Sequence, residues 1–220
     1  MRLNRFIAQH STYSRRKADE LIAAGRVLVN RQLAHMGSIV EEKDIVLVDG
    51  VKLDSTTPET VVILLHKPVG FVCSSDGQGS PTLYELLPKE YANLKIAGRL
   101  DKDSSGLIVL TNDGKLLQEL THPSNDKEKV YIATLAKPLA DGAIAQFAKG
   151  VDIGDERVSK MSVLPAQSPL SYEVAIHEGR NRQIRRSFEA LGYKVEALHR
   201  IKLGQYSIGT LASKQYKIEI

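Results

Sequence analysis

Gly98-Arg99-Leu100-Asp101-Lys102-Asp103-Ser104-Ser105-Gly106, followed at once by Leu107-Ile108-Val109-Leu110, is the most informative stretch of this chain. Glycines bracket a short polar loop, and its glycines and serines let the backbone bend tightly. The apolar run behind the loop predicts a buried strand or a buried helical turn. The loop therefore presents one carboxylate, Asp101, and one guanidinium, Arg99, at the rim of a packed sheet, where scaffolds commonly hold reactive groups.

Two simpler interpretations of this loop remain open. It is also typical of a tight turn between strands, with Asp101 and Asp103 as turn formers. Asp101, Asp103, Ser105 and Gly106 occupy the first, third, fifth and sixth positions of a calcium-loop pattern. The twelfth position of that pattern should be a bidentate glutamate, and here it is Asn112. We therefore expect no metal site in this loop.

The composition is that of an ordinary globular protein. The chain has 220 residues, of which 42% are hydrophobic and 25% charged, so it can bury a sizeable core. Its one cysteine, Cys73, excludes an internal disulfide and favours a reducing compartment. The opening residues lack the apolar run of a secretory leader, and no apolar stretch approaches membrane length. We expect a cytoplasmic monomer that makes no membrane contact.

Positive charge is concentrated in two separate segments of a chain whose net charge is +4. Residues 1–40 contain seven lysines and arginines against two acids, and residues 177–202 contain seven against three. Such clusters favour a two-point grip on a polyanion such as RNA, although two solvated faces would give the same pattern. The predicted RNA-binding side chains are Arg2, Arg5, Arg15, Arg16, Lys17, Arg26, Arg180, Arg182 and Arg186.

The first 55 residues predict a small domain of two helices followed by strands. Ser14 is placed to cap the second helix, and Gly25 to end it. Three cations follow Ser14 in the first helical turn, where the helix dipole disfavours them. Binding an anion would explain that placement. Residues 56–60 have the composition of a linker, so the predicted domains are 1–55 and 61–220.

The second domain predicts an α+β fold with a mostly antiparallel sheet flanked by helices, because strands outnumber helices and no regular βαβ alternation appears. Asp113 and Asp141 are predicted to cap two of its helices, and a third helix is predicted at about 180–191. The predicted strands include 61–65, 130–135, 171–176, 194–199 and 215–219.

Four arginines lie within the seven residues from Arg180 to Arg186. Arg182, Arg185 and Arg186 have helical spacing, so the sequence predicts that they share one face of a helix. A guanidinium stays charged and binds carboxylate or phosphate in a fork. One of these arginines could pair with a buried carboxylate while the others hold phosphates. An exposed basic helix is the alternative interpretation.

Together these motifs resemble those of the bacterial S4-domain pseudouridine synthases that modify ribosomal RNA. Residues 1–55, with Ser14-Arg15-Arg16-Lys17-Ala18-Asp19 and Gly25-Arg26-Val27, are similar to the S4 RNA-binding module. The rest of the chain is similar to successive motifs of the family at 66–70, 98–107, 129–131 and 179–186. One small departure is Ser187, where relatives commonly have methionine.

The resemblance implies a role for four side chains. Asp101 would be the essential carboxylate, and Tyr131 would stack on the target base or remove its proton. Arg185 would pair with Asp101, and Arg99 would fill the gap left by the flipped nucleotide. The partner implied is ribosomal RNA, with the large subunit preferred, and no metal or organic cofactor is implied. The alternative is a non-catalytic protein that clamps RNA through its two basic clusters.

Overall fold

The computed structural model of the protein consists of two compact units, Met1–Thr60 and Val61–Ile220. The structure describes residues 1–41, 43–54, 56 and 59–219. Within the last range, only the backbone of Gln78 is described. Residues 57 and 58 of the predicted linker lie outside the described residues, so the division at 55 and 61 stays a prediction. Within the described residues, no helix is long and apolar enough to cross a membrane.

The first unit pairs two helices with a small antiparallel sheet. Helix α1 spans Leu3–His10 and helix α2 spans Arg15–Ala23. The predicted cap is confirmed, because Ser14 Oγ accepts a hydrogen bond from the backbone N–H of Lys17 at 3.1 Å. The sheet has the order β2-β1-β3-β4 and is built from β1 Val27–Val29, β2 Gln32–Leu33, β3 Val46–Val48 and β4 Val51–Lys52. Apolar residues of both helices and of β1 and β3 form one core.

In its described residues, the second unit consists of a nine-stranded sheet and three α-helices. Its main path runs β13-β5-β7-β11-β8-β10-β9, with β6 beside β7 and β12 beside β11. The strands are β5 Val62–Lys67, β6 Lys95–Ala97, β7 Ser105–Thr111, β8 Lys129–Leu135, β9 Ser162–Pro165, β10 Ser171–Ile176, β11 Val195–Leu203, β12 Tyr206–Ser207 and β13 Tyr216–Glu219. The helices are α3 Gly114–Thr121, α4 Ala143–Lys149 and α5 Gln183–Ala190.

The predicted α+β class with a mostly antiparallel sheet is confirmed. The described strands pair antiparallel except at one junction, where Ser105 and Gly106 of β7 lie parallel to His199 and Arg200 of β11. Residues 62–65 of β5 and 107–110 of β7 are all apolar because both faces of these strands are covered, by a large core on one side and a smaller core on the other. The polar loop at 98–104 thus leads directly into the middle of the sheet.

Of the three helix starts predicted in the second unit, one is confirmed and two are wrong. Asp113 does cap α3, since its carboxylate accepts from the N–H of Lys115 at 2.7 Å. Helix α4 instead begins after Gly142, whose left-handed backbone lets the chain turn into the helix, so Asp141 is not its cap. Helix α5 begins at Gln183 rather than near 180, because Arg182 has a left-handed φ of 47° that interrupts any helix before it.

Candidate active site

The loop that carries Asp101 is fixed by backbone contacts on both sides. The backbone N–H of Leu100 donates to Cys73 Sγ at 3.4 Å, which ties the loop to the core. The N–H of Ser104 donates to the carbonyl of Asp101 at 3.1 Å and closes a tight turn. The N–H of Gly70 donates to the carbonyl of Lys102 at 2.8 Å. These contacts hold the Asp101 backbone in place while its side chain remains 38% exposed.

A cleft of about 770 Å³ opens beside this loop, and it brings together three of the four residues predicted for catalysis and base flipping. Asp101 and Arg99 line one side, and Arg99 is exposed. Tyr131, on β8, contributes to the cleft wall and is 7% exposed. The cleft therefore combines a reachable carboxylate with a deep aromatic ring, which suits a flat, polar base.

The third predicted catalytic residue, Arg185, does not line this cleft. It donates to the backbone carbonyls of Val195 at 2.8 Å and of Asp103 at 2.9 Å, and its Nε lies 3.4 Å from Asp103 Oδ2. Its side chain is only 11% exposed. Arg185 therefore joins the loop to β11 at Val195.

The predicted pairing of Arg185 with Asp101 is wrong in this structure. Arg182 is the arginine near Asp101, with 3.7 Å between its Nη1 and Asp101 Oδ2. Arg182 also donates to both carboxylate oxygens of Asp103, at 3.1 and 3.0 Å. Hydrogen bonding from Arg182, with the nearby charge of Arg185, lowers the pKa of Asp103 from its ordinary value. Asp103 is thus more than a turn former, because it anchors two arginines.

The physical reason for the difference is the backbone at residue 182. Its left-handed conformation moves Arg182 off the helical surface that spacing predicts. Arg182 directly precedes α5 in the chain and contacts the loop at 98–104 from that position. Arg185 contacts the same loop from the first turn of α5.

Arg180 and Arg186, which the sequence predicts as RNA-binding, are occupied within the protein. Arg186 Nη2 lies 2.6 Å from Asp155 Oδ1, and the same side chain donates to the carbonyl of Ile153. Arg180 pairs with Asp155 at 3.1 Å and with Glu178 at 2.6 Å. These two arginines join the segment before α5 and the helix itself to the loop at 153–155.

The basic residues of the first unit fall into two groups. Arg26 makes a double hydrogen bond with Asp49, at 2.6 and 2.7 Å, and Lys17 pairs with Glu20 at 2.9 Å. The remaining predicted RNA-binding side chains of this unit form no ion pair with any described residue, and they are Arg2, Arg5, Arg15 and Arg16. That second group is free to meet a polyanion.

Arg200 and Lys129 are among the cations of the cleft that the sequence interpretation overlooked. Arg200 is 1% exposed and Lys129 is half-buried, and both line the cleft. Arg200 lies opposite Tyr131 in the register of β11 and β8. The sequence does contain a sign of Arg200: it is a charged residue at an inward-facing position of a strand. Leu198 and Arg200 are both buried and are separated by one less buried residue, as the alternation of a strand requires.

Comparisons with known proteins agree with this geometry. The RNA pseudouridylate synthase family model matches residues 61–190, and the S4 domain model matches residues 1–46. The chain is 36% identical to ribosomal small subunit pseudouridine synthase A of Escherichia coli K12, covering 99% of this chain and 95% of that protein. It is 34% identical to the dual-specificity RNA pseudouridine synthase RluF of Shigella flexneri, covering 99% and 74%.

A solved structure described as a pseudouridylate synthase matches the whole chain and 96% of its own, with a TM-score of 0.72 and 32% identity. The predicted S4 module and the predicted family are therefore confirmed. The accessible Asp101 and the buried Tyr131 of the cleft both lie in the segment that the pseudouridylate synthase family model matches. The chain belongs to the S4-domain RNA pseudouridylate synthase family and is a pseudouridine synthase.

Proposed function

We propose that this enzyme isomerises uridine in ribosomal RNA to pseudouridine, with Asp101 as its essential carboxylate. The observation that carries the proposal is the position of Asp101, whose carboxylate is partly exposed at a cleft otherwise dominated by cations. A base must leave its stack to enter such a cleft, and the exposed Arg99 beside Asp101 is suited to occupy the vacated space.

The reaction has three steps that the protein must assist. The bond between C1′ of the ribose and N1 of the base breaks, the base turns, and C5 bonds to C1′. Asp101 adds to C1′ or stabilises the positive charge that develops there. Tyr131 supplies a ring face for stacking and a phenolic oxygen near the base. The proton lost from C5 is balanced by the proton that N1 gains, so the net change is an isomerisation.

We assign different roles to the remaining arginines on the basis of their contacts. Arg182 stands near Asp101 and orients it, while Arg185 is a positioning residue that holds the loop through Asp103. Arg2, Arg5, Arg15 and Arg16, which form no ion pair with a described residue, contact the phosphates of the RNA. Ribosomal RNA as substrate implies that the enzyme works in the cytoplasm, and we propose that it acts as a monomer.

The direct test is tritium release from C5-labelled uridine in a ribosomal RNA transcript. Wild-type protein should release tritium, and Asp101→Asn should release none under single-turnover conditions while still folding and binding RNA. Asp76→Asn, a neutralisation outside the cleft, should keep wild-type activity. Substantial release by folded Asp101→Asn would overturn the role of this carboxylate. No release by wild type on any cellular RNA would favour the non-catalytic RNA clamp.

The target uridine is found by mapping. The relatives described above include a small-subunit enzyme and a dual-specificity enzyme at nearly equal identity, so the predicted preference for the large subunit gains no support. Carbodiimide adducts followed by reverse transcription across total RNA from a deletion strain should reveal one or more missing pseudouridines in ribosomal RNA. Loss confined to other RNA would contradict the proposed substrate class.

A further inference from the structure

Arg200 is an unusual residue because it is a buried cation without a carboxylate partner among the described residues. It is 1% exposed, yet it lies in no ion pair there. Its Nε donates to the carbonyl of Leu107 at 2.8 Å, and its buried Nη2 has no hydrogen-bond partner in the described part of the chain. Leaving a buried charged donor unpaired is costly, so such a group indicates a partner that arrives with a ligand.

The position of Arg200 identifies which part of a nucleotide it meets. It lies directly opposite Tyr131 in the antiparallel register, so the two side chains emerge on one face of the sheet, with Cβ atoms about 5 Å apart. Both line the cleft, and both are more than nine-tenths buried. Arg99 and Lys102 of the cleft lining are exposed, where they can meet the phosphate backbone of an RNA. The depth of Tyr131 is within reach only of a base that has left its stack.

A second cation reinforces this site. Lys129 precedes Tyr131 by two residues on β8 and therefore shares its face. Among the described residues, the Lys129 ammonium donates hydrogen bonds to two backbone carbonyls, those of Lys127 at 3.4 Å and Glu178 at 3.3 Å. Burial, followed by the nearby charge of Arg200, lowers the pKa of Lys129 from its ordinary value. Two cations that repel each other in a half-closed cleft are suited to share an anion.

We infer that Arg200, with Lys129 beside it, binds the flipped uracil and stabilises the negative charge on the base while it is detached from the ribose. This inference rests on the proposed function. When the bond between C1′ and N1 breaks, its electron pair leaves on N1, and the charge spreads onto the two carbonyl oxygens. That anion persists until C5 bonds to C1′, after which the C5 proton leaves and N1 gains a proton. A fixed guanidinium near it stabilises the state in which charge has developed.

The local fold explains how Arg200 is held in place. Arg200 pairs with Gly106 across the parallel junction, five residues after Asp101. A Cβ on Gly106 would lie 2.3 Å from the carbonyl oxygen of Arg200, so only glycine lets the two strands approach this closely. The same short segment therefore sets the positions of Asp101 and Arg200, the proposed partners of the ribose and the base.

The test compares leaving groups of different quality. Arg200→Met removes the charge but keeps much of the side-chain volume, and Lys202→Met is the matched control, because Lys202 lies on the same strand and pairs with Glu128 outside the cleft. Single-turnover rates are measured on uridine by tritium release and on 5-fluorouridine by nucleoside analysis after digestion. Fluorine stabilises the detached anion, so 5-fluorouracil needs less help to leave.

Arg200→Met should lose about 100-fold or more on uridine and less than about tenfold on 5-fluorouridine, with the Kd for RNA unchanged. Lys202→Met should match wild type on both. Equal losses on the two bases would overturn the inference. It would also be overturned if the slope of the log binding constant against log salt concentration fell by about 0.7 to 0.9, because that change marks the loss of a phosphate contact. Inactive wild-type protein would instead refute the proposed function.

Arg200→Lys keeps the charge and carries the test if Arg200→Met does not fold. Arg200→Lys should lose less activity on uridine than Arg200→Met. If only the lysine variant folds, its activity on uridine should be about tenfold below that of wild type. In either case the loss should be smaller on 5-fluorouridine. Circular dichroism and the thermal midpoint establish that each variant is folded. Full wild-type activity of Arg200→Lys on uridine, or a loss that is the same on both bases, would contradict a role in charge stabilisation.

Discussion

At the scale of single residues, Asp103 shows how one carboxylate organises the loop. It accepts two hydrogen bonds from Arg182 and lies beside Arg185. Asp103→Asn should therefore slow single-turnover catalysis by about tenfold or more, because both arginines lose the anion that positions them. Its Kd for RNA should not rise, since the change removes a negative charge from a polyanion site.

The control for this prediction is Asp126→Asn. Asp126 is exposed, has a left-handed backbone that asparagine adopts readily, and lies outside the cleft. It should keep wild-type rates in the tritium assay. Full activity of Asp103→Asn in the same assay would return Asp103 to the role of a simple turn former.

Gly106 gives a second prediction at this scale. Its φ of 114° and the 2.3 Å approach of the Arg200 carbonyl leave no room for a side chain. Gly106→Ala should lower the free energy of unfolding by about 2 kcal/mol or more. Gly98→Ala is the matched control, because Gly98 also has a positive φ but nothing lies within 4 Å of its added Cβ. Urea unfolding should show the smaller loss for Gly98→Ala, and equal losses would mean that strain at positive φ, not the clash, dominates.

At the scale of elements, α5 is attached to the loop at 153–155 by a pair of charges. Arg186 and Asp155 are 2.6 Å apart, and their side chains are 30% and 28% exposed. Arg186→Ala should destabilise the protein by about 1 to 3 kcal/mol, because Asp155 keeps only Arg180 as a partner and the carbonyl of Ile153 loses its donor. In a double-mutant cycle with Asp155→Ala, the two losses should fall short of additivity by about 1 kcal/mol. Strict additivity would show that the pair contributes no coupling.

The same pair predicts a pH dependence. Hydrogen bonding from Arg186 lowers the pKa of Asp155 below its ordinary value. The unfolded chain then binds a proton at a pH where the folded protein does not, so this contribution is complete above about pH 5 and is lost as the pH falls further. The thermal midpoint of wild type should drop more steeply than that of Asp155→Asn between about pH 5 and about pH 2. Parallel curves would exclude this contribution.

The sequence predicts these elements well where the cause is local. The Ser14 and Asp113 caps follow from one residue and the turn after it, and both are present. The pairing of arginines with acids could not be predicted, because Asp155 reaches Arg180 and Arg186 across more than twenty residues. The wrong partner for Asp101 has a single origin, the left-handed backbone of Arg182, which helical spacing does not reveal.

At the scale of the whole molecule, each unit has a core of its own. The first core uses residues from Leu3 to Val48, and the cores of the second unit use residues from Val61 onward. We expect residues 61–220 to fold without the S4 module and to bind RNA more weakly. The log–log salt slope should fall by about 0.7 to 0.9 for each phosphate that the S4 module binds. Filter binding of both proteins across a salt series measures this, and an unchanged slope would refute the first grip point.

The pairing of β5 with β13 has a consequence for how the protein is made. Leu65 lies opposite Tyr216, so the two partners are separated by about 150 residues of chain. A nascent chain can complete the S4 unit from its first fifty or so residues by local contacts. The apolar β5 must then wait for nearly the whole of the remaining translation before its edge is covered. Ribosome-bound chains halted before residue 216 should therefore be protease-resistant in the S4 unit, while β5 stays open to chaperones.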